Sequence, residues 1–173
     1  MSEFLTVAQA GDAEDLSRFV NTAYRGESSK RGWTTEADLL GGQRTDPDML
    51  RDLISEKNNT ILLMRADADL IGSVFLQRKA ESAYLGMLTV RPHLQARGIG
   101  RRLLTVAEDW VRNNWRLHVI EMTVIQQRLE LIAWYERRGY VNTLRTEPFP
   151  YGNEKFGLPK QPDLKFAVLE KRL

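Results

Sequence analysis

Apolar positions change their spacing several times along the chain, and each change marks an element. Phe4 to Gln9 predicts a first strand. Asp12 is then placed to cap a helix whose positions Leu16, Phe19, Val20 and Ala23 share one face, ending near Gly26. A polar connector, GESSKRGWTT, leads to a second helical region from about Glu36, interrupted at GGQRTDPD and resumed through Met49, Leu50, Leu53 and Ile54. Three strand patterns follow at 60–66, 70–77 and 82–90, the first two joined by the short polar DAD, which predicts an antiparallel meander. Beyond a glycine-containing turn, Ile99, Leu103, Val106, Ala107, Trp110 and Val111 line one face of a helix running to about Asn114. HVIEMTVI at 118–125 is strand again, and a helix from about Glu130 to Arg138 stops at Gly139, the residue type that ends helices in the left-handed conformation. A strand near Val141 to Arg145, the Pro/Gly-rich loop FPYGNEKFGLPKQPD and a last strand KFAVLEKR close the chain.

The predicted order is β, α, α, β, β, β, α, β, α, β, β. This is an α/β chain of mixed α+β character, joining an antiparallel meander to parallel crossovers through helices. Strands 82–90 and 118–125 flank one crossover helix, so they are expected as parallel neighbours with the glycine turn at the carboxyl end of the first. That is where an α/β sheet usually binds its ligand.

Composition narrows the field. With 173 residues, 42% of them hydrophobic, the chain suits one soluble domain over 1–173 that needs neither disulfide nor metal. The absence of cysteine excludes a thiolate metal site and a cysteine nucleophile, and His93 and His118 alone leave little for a metal, so none is expected. The opening MSEFLTVAQAGDAEDL lacks the pattern of a secretory leader, and nowhere do 18 apolar residues run together. A cytoplasmic protein without membrane association is the expectation. Net charge is +2, but residues 1–50 carry five Lys/Arg against nine Asp/Glu, and residues 91–173 carry fifteen against nine. The second half therefore favours an anion, yet aromatics are not interleaved with the basic residues as a nucleic-acid stacking platform requires. No nucleic-acid partner is expected.

The stretch LTVRPHLQARGIGRRLL, 88–104, carries the clearest chemistry. A nucleoside triphosphate loop needs Lys then Ser or Thr after its last glycine, whereas Gly100 is followed by Arg101 and Arg102. A dinucleotide turn needs a third glycine where Leu103 stands. What remains is Gln95-x-x-Gly98-x-Gly100, with backbone N–H groups uncovered at a helix N-terminus and Arg97, Arg101 and Arg102 around them, which suits a pyrophosphate approached by main chain.

Here the chain resembles the GNAT superfamily of acyl-CoA-dependent N-acetyltransferases. LTVRPHLQARGIGRRLL is similar to that family's strand, turn and helix with its Q/R-x-x-G-x-G/A pattern. Forty residues on, LIAWYERRGY is similar to its second signature, a tyrosine four residues before a glycine and an aromatic. The resemblance implies a central mixed, mostly antiparallel sheet with two splayed parallel strands and flanking helices. It implies acetyl-CoA as cosubstrate, the pantetheine arm on the main chain of Leu88, Thr89 and Val90, and the pyrophosphate on the backbone of Gln95, Ala96, Arg97, Gly98, Ile99, Gly100 and Arg101. Two positions depart from the family pattern: Arg128 stands where many relatives have an asparagine, and Leu131 where a small residue is usual.

Acyl transfer from a thioester to an amine poses two proton problems. A lysine-like amine has a pKa about three units above neutrality, so deprotonating it costs on the order of 4 kcal/mol without help. The departing thiolate leaves better if protonated. The resemblance implies Tyr135 as that acid and an acceptor pocket built from the connector between the first two helices. Glu36 is placed first as base, with Glu81 and Glu121 behind it. Tyr24, Trp33, Gln43 and Arg44 are the expected acceptor contacts, and the late loop, with Tyr151, is expected to close the other side. The activity implied is transfer of an acetyl group to a primary amine of a small molecule or peptide in a ternary complex. The alternative is a non-catalytic acyl-CoA-binding module. A homodimer is left open.

Overall fold

A computed structural model describes residues 3–173. β1 (Glu3–Val7) leads into α1 (Ala13–Tyr24); α2 (Gly26–Ser29) is a single turn, and the two-residue β2 (Leu40–Gly41) precedes α3 (Pro47–Ser55). The meander is β3 (Asn59–Ala66), β4 (Asp69–Arg78) and β5 (Ala83–Val90). α4 (Ile99–Trp110), prolonged by a wider turn at Val111–Trp115, crosses to β6 (Val119–Ile125). α5 (Leu129–Glu136), β7 (Val141–Pro148), the short β8 (Leu158–Pro159) and β9 (Lys165–Arg172) complete the chain.

Seven strands form one sheet in the order β1-β3-β4-β5-β6-β9-β7, and β2 pairs with β8 separately. Every neighbouring pair in the large sheet is antiparallel except β5 and β6. The sheet is covered on both faces, which explains the unbroken apolar run of β3. Ile61 and Leu63 pack with Leu16, Val20 and Leu50 of α1 and α3, whereas Leu62 and Met64 join Leu103 and Ala107 of α4 in the other core.

The helix expected from Glu36 is not formed. That region makes one turn, in which the N–H groups of Leu39 and Leu40 reach the Glu36 carbonyl, and it breaks at Gly42, whose φ is +71°. The helix begins only at Pro47, where Asp46 accepts the Met49 N–H at 2.8 Å and proline supplies the first helical position. TDPD is therefore a start signal and not an interruption. The connector instead folds as loop against the mouth of the sheet.

β5 and β6 pair only at Ala83–Ile120 and Tyr84–Glu121. Beyond them β5 carries an irregularity opposite Val74, between the pairs Ser73–Thr89 and Phe75–Gly86, with Met87 at φ +47°. An extra residue on one strand bends it and ends pairing with its neighbour. The two parallel strands splay, and the gap opens at the carboxyl end of β5.

Leu103 is fully buried between α4 and the sheet. Leu103→Ala is expected to cost about 2–5 kcal/mol, read as a lower denaturation midpoint at unchanged slope in urea.

Candidate active site

The turn from β5 into α4 is shaped by two residues with left-handed backbones, Ala96 at φ +65° and Gly98 at φ +81°. The first α4 amide held within the protein is that of Arg102, which donates to the Gly98 carbonyl at 3.0 Å. The N–H groups of Gly98, Ile99, Gly100 and Arg101 have no acceptor among the described residues, so they present four donors and the positive end of the helix dipole. A Cβ on Gly100 would stand 3.5 Å from Val90 and 3.6 Å from Trp134. It would project into a cavity of about 400 Å³ lined by Trp33, Leu88, Gln95, Gly100, Trp134 and Tyr135 among others. Arg101 and Arg138 stand at its edge, the Arg138 guanidinium stacked 3.6 Å from the centre of the Trp134 ring. Main-chain donors flanked by arginines, continued by an apolar slot along a strand end, fit the pyrophosphate and extended arm of coenzyme A.

Gln95 locks this wall. Its carbonyl oxygen accepts the Trp33 N–H at 2.9 Å, and its amide donates to Thr34 Oγ1 at 2.7 Å and to the Val90 carbonyl at 3.1 Å. Gly32 allows the approach, because a Cβ there would lie 2.5–2.8 Å from the Gln95 amide atoms.

A second cavity, of about 330 Å³, lies on the other side of Tyr24, Leu88, Leu131 and Tyr135, which line both. Its remaining walls come from β5 and β6, including Met87, Met122 and Thr123, and from Phe149, Phe156 and Phe166. The Tyr135 hydroxyl makes no hydrogen bond among the described residues and is not sealed from the cavities. Burial, and then the neighbouring Tyr24, push its pKa well above the ordinary phenol value, so it carries its proton at neutral pH. Tyr24 donates to the Leu88 carbonyl at 2.5 Å, and burial followed by the charge of Glu36 raises it too.

Glu36 sits between two arginines. One carboxylate oxygen accepts from Arg25 and the other from Arg128 at 3.1 Å, while Arg128 also donates to the Thr34 carbonyl at 2.6 Å. Burial alone would raise the Glu36 pKa, but the charges of Arg128, Arg25 and Arg44 outweigh it and hold the carboxyl below its ordinary value.

Residues 19–140 match the acetyltransferase (GNAT) family. The chain belongs to that family. Solved structures share the fold over nearly its whole length. The ribosomal-protein-S18-alanine N-acetyltransferase of Escherichia coli is similar at 13% identity and a TM-score of 0.72, with 99% of this chain and 94% of that one covered. The PaiA N-acetyltransferase of Thermoplasma acidophilum, in complex with coenzyme A, is similar at 20% identity and a TM-score of 0.68, with both chains covered completely. YncA of Salmonella typhimurium, a putative acetyltransferase solved with acetyl-CoA, is similar at 16% identity and a TM-score of 0.72, covering 100% of this chain and 95% of that one. No curated protein matches the sequence significantly.

Within this GNAT chain the expected site residues fall into three groups. Leu88, Val90, Gln95, Ala96, Gly98, Gly100 and Arg101 line the first cavity, whereas the side chains of Thr89, Arg97 and Ile99 do not. Thr89 is buried with its hydroxyl on the Met87 carbonyl, and Ile99 lies in the core. Tyr24, Glu36 and Arg44 line the second cavity; Trp33 belongs to the first, 6.0 Å from Trp134. Gln43 reaches neither and donates to Asp46 at the start of α3. Of the three carboxylates considered as base, Glu81 is exposed away from both cavities and Glu121 pairs with Arg145 and Lys79. Tyr151 staples the late loop by its bonds to Gln161 and Leu164, and Phe149 and Phe156 reach the cavity in its place. Sequence reasoning missed Arg25, Trp134 and these phenylalanines. Only the aromatic density of the late loop gave any signal for the last.

Removing one partner of a buried ion pair typically costs about 3–5 kcal/mol. Glu36→Gln is expected to lose about that much stability at pH 7. Because the folded carboxyl titrates below its unfolded value, the loss is full above pH about 5 and fades as pH falls through the folded value. Urea denaturation of both proteins from pH 7 to pH 3 checks this.

Proposed function

We propose that the chain transfers the acetyl group of acetyl-CoA to a primary amine of a small molecule or peptide, directly, in a ternary complex. The observation that carries this reading is the unbonded Tyr135 hydroxyl where the two cavities meet, one side offering main-chain donors suited to a pyrophosphate and the other a half-enclosed acceptor space. Two cavities joined at one point let both substrates be present together, which supports direct transfer. The names of similar structures, among them spermidine and S18-alanine N-acetyltransferases, agree with an amine acceptor.

When bound, acetyl-CoA supplies a thioester whose C–S bond breaks as the amine nitrogen forms the new N–C bond. The backbone from Gln95 to Arg101 holds the phosphates and orients the arm along β5. Tyr135 keeps a proton at its phenol oxygen for the departing sulfur; burial disfavours phenolate and thiolate alike, so it does not by itself oppose that transfer. Glu36, expected as base, has both oxygens engaged by guanidinium groups and a lowered pKa, which suits positioning Arg25 and Arg128 better than taking a proton. Glu147, the other carboxylate on the acceptor wall, is exposed and has no ion-pair partner among the described residues, so it can receive the amine proton and pass it to water.

Calorimetry with acetyl-CoA and thiol release in the presence of amines test the reading. Gly100→Trp, which fills the cradle, is expected to abolish acetyl-CoA binding while the protein stays folded. Tyr135→Phe is expected to bind normally and to lower kcat by about 10²-fold or more. Unchanged turnover in Tyr135→Phe removes the acid assigned here. Binding without transfer to any amine returns the chain to the binding-module alternative.

A further inference from the structure

The acceptor cavity carries more positive than negative charge on its walls: Arg25, Arg44 and Arg128 against Glu36 and the rim residue Glu147. Two of the three arginines are committed. Arg25 is buried on Glu36 with the Tyr24 and Phe156 carbonyls nearby, and Arg128 divides its donors between Glu36 and the Thr34 carbonyl.

Arg44 is different. Its guanidinium lies 5.8 Å from the centre of the Tyr24 ring, and it has neither an ion pair nor a side-chain hydrogen bond among the described residues. Its backbone is nevertheless fixed. The Arg44 N–H donates to Asn21 Oδ1 at 2.6 Å, and the same side chain donates to the Thr45 carbonyl at 2.8 Å. The Tyr24 ring beneath it ends on the Leu88 carbonyl, at the gap where the two cavities join. A held backbone thus places a guanidinium without a hydrogen-bond partner among the described residues on the wall of a half-enclosed pocket next to the reaction point. A guanidinium presents a planar fork of donors that matches a carboxylate.

We propose that the acceptor is a small primary amine that also bears a carboxylate, and that Arg44 binds that carboxylate. This rests on the acetyl-transfer reading and narrows it. Phe149, Phe156, Phe166, Met122 and Leu40 add an apolar wall to the pocket, which suits an uncharged side chain. The volume, about 330 Å³, is at the small end of ligand pockets and fits a molecule of amino-acid size. A polyamine is disfavoured, because its charges would meet three guanidinium groups with only one buried carboxylate among them.

The test compares alanine, leucine, methionine and phenylalanine with their amides and with spermidine, reading thiol release from acetyl-CoA for wild type, Arg44→Gln and Arg44→Lys. The best free amino acid is expected to exceed its amide in kcat/KM by about 10- to 100-fold, the worth of a charge-assisted hydrogen bond. Arg44→Gln is expected to erase that preference through KM, with kcat little changed, and Arg44→Lys to restore part of it. In thermal melts with coenzyme A present, the preferred amino acid should raise the midpoint of wild type but not of Arg44→Gln. Equal or better use of amides or spermidine overturns the proposal while leaving acetyl transfer standing, as does a preference that survives in Arg44→Gln. Acetyl-CoA binding without thiol release for any acceptor overturns the acetyl-transfer reading and this proposal with it.

Discussion

The backbone ladder between β5 and β6 holds two residue pairs, and the site depends on their being so few. A parallel pair that stayed in register would seal the centre of the sheet with hydrogen bonds and apolar side chains. The irregularity at Met87 bends β5 away instead, so the strand end at Leu88 and Val90 becomes a wall and not an interior. Tyr135, on the helix that follows β6, packs its ring in the core against Trp134 and Tyr140 and lines the gap where the two cavities meet. Both cavities are consequences of that one divergence.

The connector between α1 and α3 converts the gap into two compartments. It contains little regular structure of its own, and long-range polar contacts hold it down. Gln95 ties Trp33 and Thr34 to the end of β5, and Glu36 ties Arg25 to Arg128 at the start of α5. Each contact fixes a loop against an element far away in sequence, and each pulls a charged or aromatic group to the edge of a cavity. Burying Glu36 is tolerable because two guanidinium groups compensate it, and this leaves the acceptor side with a surplus of positive charge.

Local signals were the ones legible in the chain itself. Gly98 and Gly100 before an amphipathic run mark a helix start whose amides face outward, and the neighbouring backbone dictates this without help from distant residues. Gly139, at φ +90°, ends α5 as its type suggests. The meander, the crossover and the parallel pairing follow from apolar period and element order. Reading GGQRTDPD as a break in a helix failed because Asp46 and Pro47 are a start signal, and because Glu36, drawn to two arginines, is better served by a loop than by a helix. Gln43 and Arg44 were indistinguishable in sequence. Only the direction each takes from the backbone separates a residue that braces the Asp46 cap of α3 from one that faces the acceptor space.

The sequence by itself determined the strand-turn-helix that offers main-chain donors, the tyrosine helix that follows, and the order of elements that makes β5 and β6 neighbours. These rest on interactions within a few residues or on hydrophobic period, both of which are written along the chain. The tertiary structure alone decided the splay at Met87, the sharing of Glu36 between Arg25 and Arg128, and the placement of Phe149, Phe156 and Arg44 around one cavity. Arg128 and Glu36 are 92 residues apart and Arg25 and Phe156 131, and no local pattern encodes a contact whose partner is chosen by the packing of the whole sheet.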